Sequence, residues 1–239
     1  MFDLSRKKVV IIGGTSGIGL GIAKACKAQG AQLIIASRSE QKLSAVKKEL
    51  SRGVETYSVD ISQPEQIKSF FKKLDPFDHL VTPAATVSWG AFGAMDEKDE
   101  QSSFQSKFWG QYYAARYGRE KLNPGGSMVL FAGCWSQRPI VGAAIPGSIN
   151  GAIESLGRAL AVELAPIRVN VISPGIIDTP VFSGISAKER KAFFNKTAIA
   201  LPLKKIGNTE EVAMTAVYLM TNTFTTGSTL YVDGGETLK

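Results

Sequence analysis

The sequence predicts an α/β protein built in three layers, a parallel sheet of seven strands with helices on both faces. Two observations predict it. Short apolar runs alternate with segments of helical periodicity along the whole chain, and no linker divides them, so residues 1–239 read as a single domain. The first apolar run, Val9-Val10-Ile11-Ile12, passes directly into the glycine cluster Gly13-Gly14-Thr15-Ser16-Gly17-Ile18-Gly19 and then into a helix. That is the order strand, tight turn, helix start.

The elements follow in turn. Residues 20–29 form the first helix and 31–36 the second strand. Ser39 stands at the N-cap of a helix over 40–50, whose Leu43, Val46 and Leu50 share a face. Residues 54–59 form a third strand, closed by Asp60. In Ser62-Gln63-Pro64-Glu65 a cap, a first-turn proline and an acid open a helix, with Ile67, Phe70, Phe71 and Leu74 facing inward. Residues 78–81 form the fourth strand. After an irregular stretch over 82–97, a helix spans 99–122, with Phe104, Phe108, Tyr112 and Ala115 as its buried stripe. Asn123-Pro124-Gly125-Gly126 stops it before a fifth strand over 127–132. A loop over 133–145, a helix over 147–164 and a sixth strand over 167–172 follow, and Ser173-Pro174-Gly175 ends that strand. Residues 180–208 form a partly helical insertion placed to act as a lid, before a helix over 209–221 and a last strand over 228–232. Crossovers between parallel strands are right-handed. Ligands in such sheets bind beyond the carboxyl ends of the strands, which points to loops 13–19, 37–39, 60–61, 82–90, 133–145 and 173–208.

Composition narrows the function classes. With 44% hydrophobic and 21% charged residues the chain is ordinary for a folded domain, so disorder is excluded. No apolar run reaches the ~18 residues of a membrane span, and the short run after the N-terminal basic residues is a strand rather than a signal peptide. A cytoplasmic protein without membrane contact is expected. The net charge of +7 raises nucleic acid as a partner, but the basic residues are scattered among acids and read as solvated faces, so none is expected. The two cysteines, Cys26 and Cys134, make no disulfide framework, and one histidine, His79, without a Cys-x-x-Cys pair makes no metal site. His79 lies in an apolar strand and reads as structural.

The turn after the first strand carries the chemistry. Free N–H groups of a first helical turn point above the strand end, and the helix dipole adds about half a positive charge there. A diphosphate suits that place. Glycine lets the backbone approach it and allows positive φ. The spacing Gly13-x-x-x-Gly17-x-Gly19 after a buried strand is specific. On these residues the chain resembles the short-chain dehydrogenase/reductase family over essentially its whole length. The family's acidic residue after the third strand matches Asp60, its Pro-Gly after the sixth matches Pro174-Gly175, and its following threonine matches Thr179. Val232-Asp233-Gly234-Gly235 is similar too, whereas the threonine before the family's glycine motif is Ile12 here. The resemblance implies a Rossmann-type fold and a nicotinamide dinucleotide contacted by Gly13, Thr15, Ser16, Gly17, Ile18, Gly19, Ser37, Arg38, Asp60, Ile61, Ala84, Pro174, Gly175, Ile177 and Thr179. At the end of the second strand an acid would favour NAD; Ser37-Arg38 instead offers a hydroxyl and a guanidinium to a 2′-phosphate, which favours NADP(H).

The resemblance breaks at the family's proton-transfer residues. Its tyrosine falls at Pro146, its lysine at Asn150, its serine at Gly133 or Ala132, and its asparagine at Lys107. Lys107 lies beside Gln111 at an i, i+4 spacing, and a desolvated lysine near an oxidised nicotinamide exchanges protons near neutrality. Asn150 still offers a hydrogen bond to a ribose hydroxyl, and Ser136, Cys134 and Trp135 face the same cleft. Lys107, Asn150 and Ser136 are therefore the catalytic candidates; Cys134 lacks a visible base. Trp89, Trp135, Phe182 and Phe193 suggest an apolar pocket wall for an apolar carbonyl or alcohol. Two readings follow: an NADP(H)-dependent oxidoreductase with an atypical active site, or a non-catalytic dinucleotide sensor or complex partner. A lyase or isomerase on the same fold is a third. The resemblance also implies a homodimer or homotetramer built on the helices at 99–122 and 147–164, through Tyr112/Tyr113 and Leu156/Leu160.

Overall fold

The β-branched residues of the first apolar run form β1 (Lys8–Ile12) in the computed structural model, which describes residues 3–239. The first two positions of the expected 1–239 unit lie outside that range. Along β1, Val9 and Ile11 enter one core layer while Val10 and Ile12 enter the other. A strand buried on both faces needs apolar side chains at every position. Each contributes about 1.5–3 kcal/mol by burial.

The chain continues through α1 (Gly17–Ala28), β2 (Gln32–Ser37), α2 (Glu40–Leu50), β3 (Val54–Ser58), α3 (Pro64–Lys73) and β4 (Phe77–Val81). Then come α4 (Glu97–Phe104), a π-helical turn (Gln105–Trp109), α5 (Gly110–Gly118) and β5 (Leu122–Phe131). It closes with α6 (Ala144–Glu163), β6 (Arg168–Pro174), α7 (Ala187–Ala200), α8 (Thr209–Thr221) and β7 (Thr229–Val232). Among the described residues the seven strands make one sheet in the order β3-β2-β1-β4-β5-β6-β7, every pair parallel. Residues of α1, α2 and α8 fill one core layer, and residues of α3, α5 and α6 fill the other. This is the expected three-layer, Rossmann-type architecture. The strand order reverses between β1 and β4, which opens a crevice above their carboxyl ends. Among the described residues no helix is long and apolar enough to cross a membrane.

Ser39 caps α2 as expected, its side chain accepting from Lys42 N. The stop at Asn123–126 is instead a bulge inside β5: Leu122 pairs with Phe77 and Ser127 with His79, and the residues between loop out with Gly125 at φ +78°. β6 runs on through Pro174, which pairs with Val232.

The long helix departs most from expectation. It begins at Glu97, capped by Asp96, and is interrupted by the π turn. Its inward face is Ser103, Ser106, Gly110, Gln111, Ala114, Ala115 and Gly118. Phe104, Phe108 and Tyr112 are only half-buried. The extra residue of a π turn shifts the helical phase. Small residues then face inward because the helix passes so close to α3's entry that a Cβ on Gly110 would lie 2.7 Å from Ile61.

Candidate active site

A cleft of about 320 Å³ lies over the crevice between β1 and β4. Gly13, Thr15, Ser16, Gly17, Ile18, Gly19, Ser37, Arg38, Ile61, Ala84 and Thr179 line it, each expected to do so. The glycines are needed for two separate reasons. Gly13 has φ +101°, and a Cβ there would meet Ala84 at 2.7 Å. A Cβ on Gly19 would sit 2.0 Å from the Gly13 carbonyl oxygen. Close packing of turn against helix, more than room for a ligand, therefore demands these two. Ser16 at the N-cap is extended and its side chain makes no capping bond, so the first-turn N–H groups remain available to an anion.

At the far end of the cleft Thr15 Oγ1 donates to Ser37 Oγ (3.0 Å), and Arg38 Nη2 donates to Thr86 Oγ1 (3.3 Å). Ser39 and Lys42 join the same wall, so two cations face the cleft there, and no carboxylate lines it among the described residues. Lys42 was missed in the sequence, although its place three residues after the Ser39 cap put it on the first turn of α2. Thr86 and Ser106 were missed as well; Ser106 Oγ accepts from Thr86 N (2.9 Å), a contact no local pattern announces.

Asp60, Pro174, Gly175 and Ile177 stand outside this cleft. Asp60 Oδ1 accepts from the N–H and hydroxyl of Ser62 (2.9 and 2.8 Å), bracing the entry to α3. Pro174 and Gly175 end β6, and Ile177 is buried in the core.

A polar corner lies where β5 ends between the long helix and α6. Lys107, at the centre of the π turn, sends Nζ to Ala132 O (2.9 Å) and Asn150 Oδ1 (2.6 Å). The residue keeps some exposure, yet desolvation of the ammonium lowers its pKa to about 8. Gln111, its expected neighbour, is fully buried and bonds Phe131 N, Phe131 O, Thr82 Oγ1 and Lys107 O, so it ties the helix to the sheet. A Cβ on Gly133 would meet Asn150 Nδ2 at 2.9 Å: the Asn150 amide fills the space a side chain at 133 would need. Pro146 and Asn150 are both buried on α6.

Ser136 does not join Lys107. Its hydroxyl is bonded to buried Glu154 Oε1 (2.6 Å), with Gly133 O at 3.2 Å, and Gln137 Nε2 donates to Glu154 Oε2 (3.1 Å). Ser136 also borders a second, apolar pocket of about 600 Å³ with Trp135 and Phe92. Trp89 stacks on Trp135 but does not line that pocket, while Phe182 and Phe193 pack with Phe194 in the segment after β6. Burial, reinforced by Glu236, pushes the Cys134 thiol up, away from the reactive thiolate. His79 is buried against Ser127 Oγ (2.8 Å), and burial lowers its pKa to about 4. Among the described residues no three His, Cys, Asp or Glu side chains gather as metal ligands.

A family model described as enoyl-(acyl carrier protein) reductase matches residues 13–237. The short-chain dehydrogenase/reductase ATR9 of Stachybotrys chlorohalonatus is 31% identical over 254 residues, covering 100% of both chains. L-xylulose reductase of Mus musculus is 30% identical over 241 residues, 97% of each chain. A solved small-chain dehydrogenase in complex with NADPH superposes with a TM-score of 0.83 at 32% identity, covering 98% of this chain and 99% of that one.

Proposed function

The chain belongs to the short-chain dehydrogenase/reductase family, and on that premise we propose that it is an NADP(H)-dependent oxidoreductase with an atypical active site, reducing a carbonyl or oxidising an alcohol. The observation that carries the reading is the Lys107 corner: an ammonium with a lowered pKa, fixed at 2.6 Å by Asn150, in a chain with proline at the position of the family's tyrosine.

The cleft fits the cofactor. The first-turn N–H groups of α1 suit a diphosphate, and Arg38 with Lys42 supplies two cations to a 2′-phosphate. The absence of a lining carboxylate among the described residues favours NADP(H) over NAD(H). When bound, the cofactor supplies the hydride. The chain's own share is orientation and the proton. Asn150 and the Ala132 carbonyl hold Lys107 in one rotamer, and Lys107 gives its proton to the developing substrate oxygen. Ser136 has its proton committed to Glu154, so it offers the substrate only lone pairs and serves as acceptor from an alcohol. Residues 180–208 serve as the lid: α7 has no fully buried side chain, and its half-buried Phe193 and Phe194 pack on Phe182 in a cluster that repacks over a ligand. The stacked rings of Trp109, Tyr113 and Tyr117 favour a homodimer or homotetramer through the long helix, which light scattering checks.

Titration of the protein with NADPH and NADH, followed by NADPH oxidation with a panel of carbonyl compounds, tests the reading. NADPH is expected to bind at least about tenfold tighter, the value of one well-made charged contact. At least one carbonyl should be turned over. Tight NADPH binding with no turnover of any carbonyl would favour the non-catalytic reading, a dinucleotide sensor or complex partner, for which the proline at 146 is the supporting observation.

A further inference from the structure

Cofactor binding does not account for the second pocket. Its apolar walls are Phe92, Trp135, Pro139, Ile140 and Val141, with Ser136 and Ser148 adding hydroxyls, and no charged side chain lines it among the described residues. It touches α6 at Gly147, about one helical turn before Asn150, the partner of Lys107. Trp135 is stacked on Trp89 with ring centroids 5.9 Å apart and planes at 24°. A bond from Gly90 N to Gly142 O (3.0 Å) ties the two loops together beside that stack. Trp89, Phe92 and Val141 are 62%, 93% and 94% exposed, an apolar mouth standing in water. Apolar side chains gathered in water at a pocket mouth make it a candidate binding site.

We propose that this pocket takes a flat conjugated carbonyl compound of the fused-ring quinone class, an inference that rests on the oxidoreductase reading above. The tryptophan wall carries the first half of it. An aromatic ring finds the Trp135 wall to lie against, with offset stacking of the kind the two tryptophans already make.

The proton chemistry carries the second half. An isolated ketone that accepts hydride becomes an alkoxide, a strong base that needs an acid at its oxygen during the transfer. A quinone that accepts hydride delocalises the electron pair through its ring, and the product is a phenolate-like oxyanion, a far weaker base. That substrate makes the smaller demand on a site with proline at the usual position of the phenol and a single ammonium nearby. The step balances. The quinone gains a hydride, one hydrogen with the electron pair of its C–H bond to the dihydronicotinamide of NADPH, so that one carbonyl oxygen becomes hydroxyl and the other an oxyanion. Lys107 protonates that oxyanion, hydroquinone and NADP⁺ leave, and Lys107 recovers a proton from water.

Menadione serves as the probe, with L-xylulose as the polyol comparator, both presented to the protein saturated with NADPH. The expected result is a kcat/KM for menadione at least about 100-fold above that for L-xylulose, two well-made contacts' worth of discrimination. Trp135→Leu should raise the KM for menadione about tenfold, and Trp89→Leu, at an exposed position that does not endanger folding, about threefold. NADPH affinity should stay unchanged in both. Equal or better use of L-xylulose, a menadione KM indifferent to both tryptophan variants, or no oxidation of NADPH by menadione each overturns the inference. A separate NADPH titration keeps the two ideas apart: binding without menadione turnover removes only the quinone class, whereas no NADPH binding removes the oxidoreductase reading with it.

Discussion

The nucleotide cleft and the Lys107 corner share the carboxyl edge of the sheet, but they are made of different material. The cleft is mostly backbone. Its central turn is a contiguous run from Gly13 to Gly19, held by the Gly13 conformation and by the closeness of Gly19 to the Gly13 carbonyl. The corner is side chain: Lys107 comes from the π turn, Asn150 from α6, 43 residues on, and the Ala132 carbonyl from the end of β5. A backbone site admits few alternatives, because a single Cβ collides. A side-chain site accepts exchange, since a charge can be delivered from whichever helix borders the space. Here an ammonium and an amide meet across that space from the positions where the resemblance puts an amide and an ammonium.

The largest test of this contrast is Gly19→Ala. A Cβ 2.0 Å from a backbone oxygen forces the turn apart. Loss of stability of about 3 kcal/mol or more is expected, readable as a urea midpoint, together with loss of NADPH binding. A variant that binds NADPH normally would sink the backbone account of the cleft. Next in size is Lys107→Met, which keeps the apolar stem and deletes the charge. Carbonyl reduction should fall about 100-fold or more while the NADPH dissociation constant barely moves. Equal losses in both would mean that the corner is part of the cleft rather than a separate device.

Arg38→Ala should act the other way round. NADPH binding weakens about 30-fold and NADH binding stays as it was, since one charged hydrogen-bond partner is removed. Weakening of both cofactors alike would make Arg38 a general wall of the cleft. The smallest effect is a pH profile. Desolvation lowers the Lys107 pKa to about 8, and the group must be protonated to donate. Reduction should therefore decline as pH rises through that value, by about tenfold from pH 7 to pH 9, with NADPH affinity flat across the range. A profile unmoved by Lys107→Met would assign the titration to another group.

Local pattern in the chain is enough for the sheet, its strands and the cleft turn. Strand pattern, turn and helix start are neighbours in the chain, so period and glycine spacing record them directly: β1 alternates between two core layers, as four β-branched residues in succession require. It also marked Arg38 and Thr179, which stand at the ends of elements whose order is local. Contacts between distant segments settle the rest. The π turn leaves Phe104, Phe108 and Tyr112 half-buried at the edge of the core, because the phase of a helix answers to the neighbour it packs against and not only to its own periodicity. Lys107 Nζ meets Asn150, Gln111 keeps the Lys107 carbonyl but turns its amide to Phe131 and Thr82, and Ser136 turns to Glu154, because hydrogen-bond partners are chosen by distance in space among groups far apart in the chain.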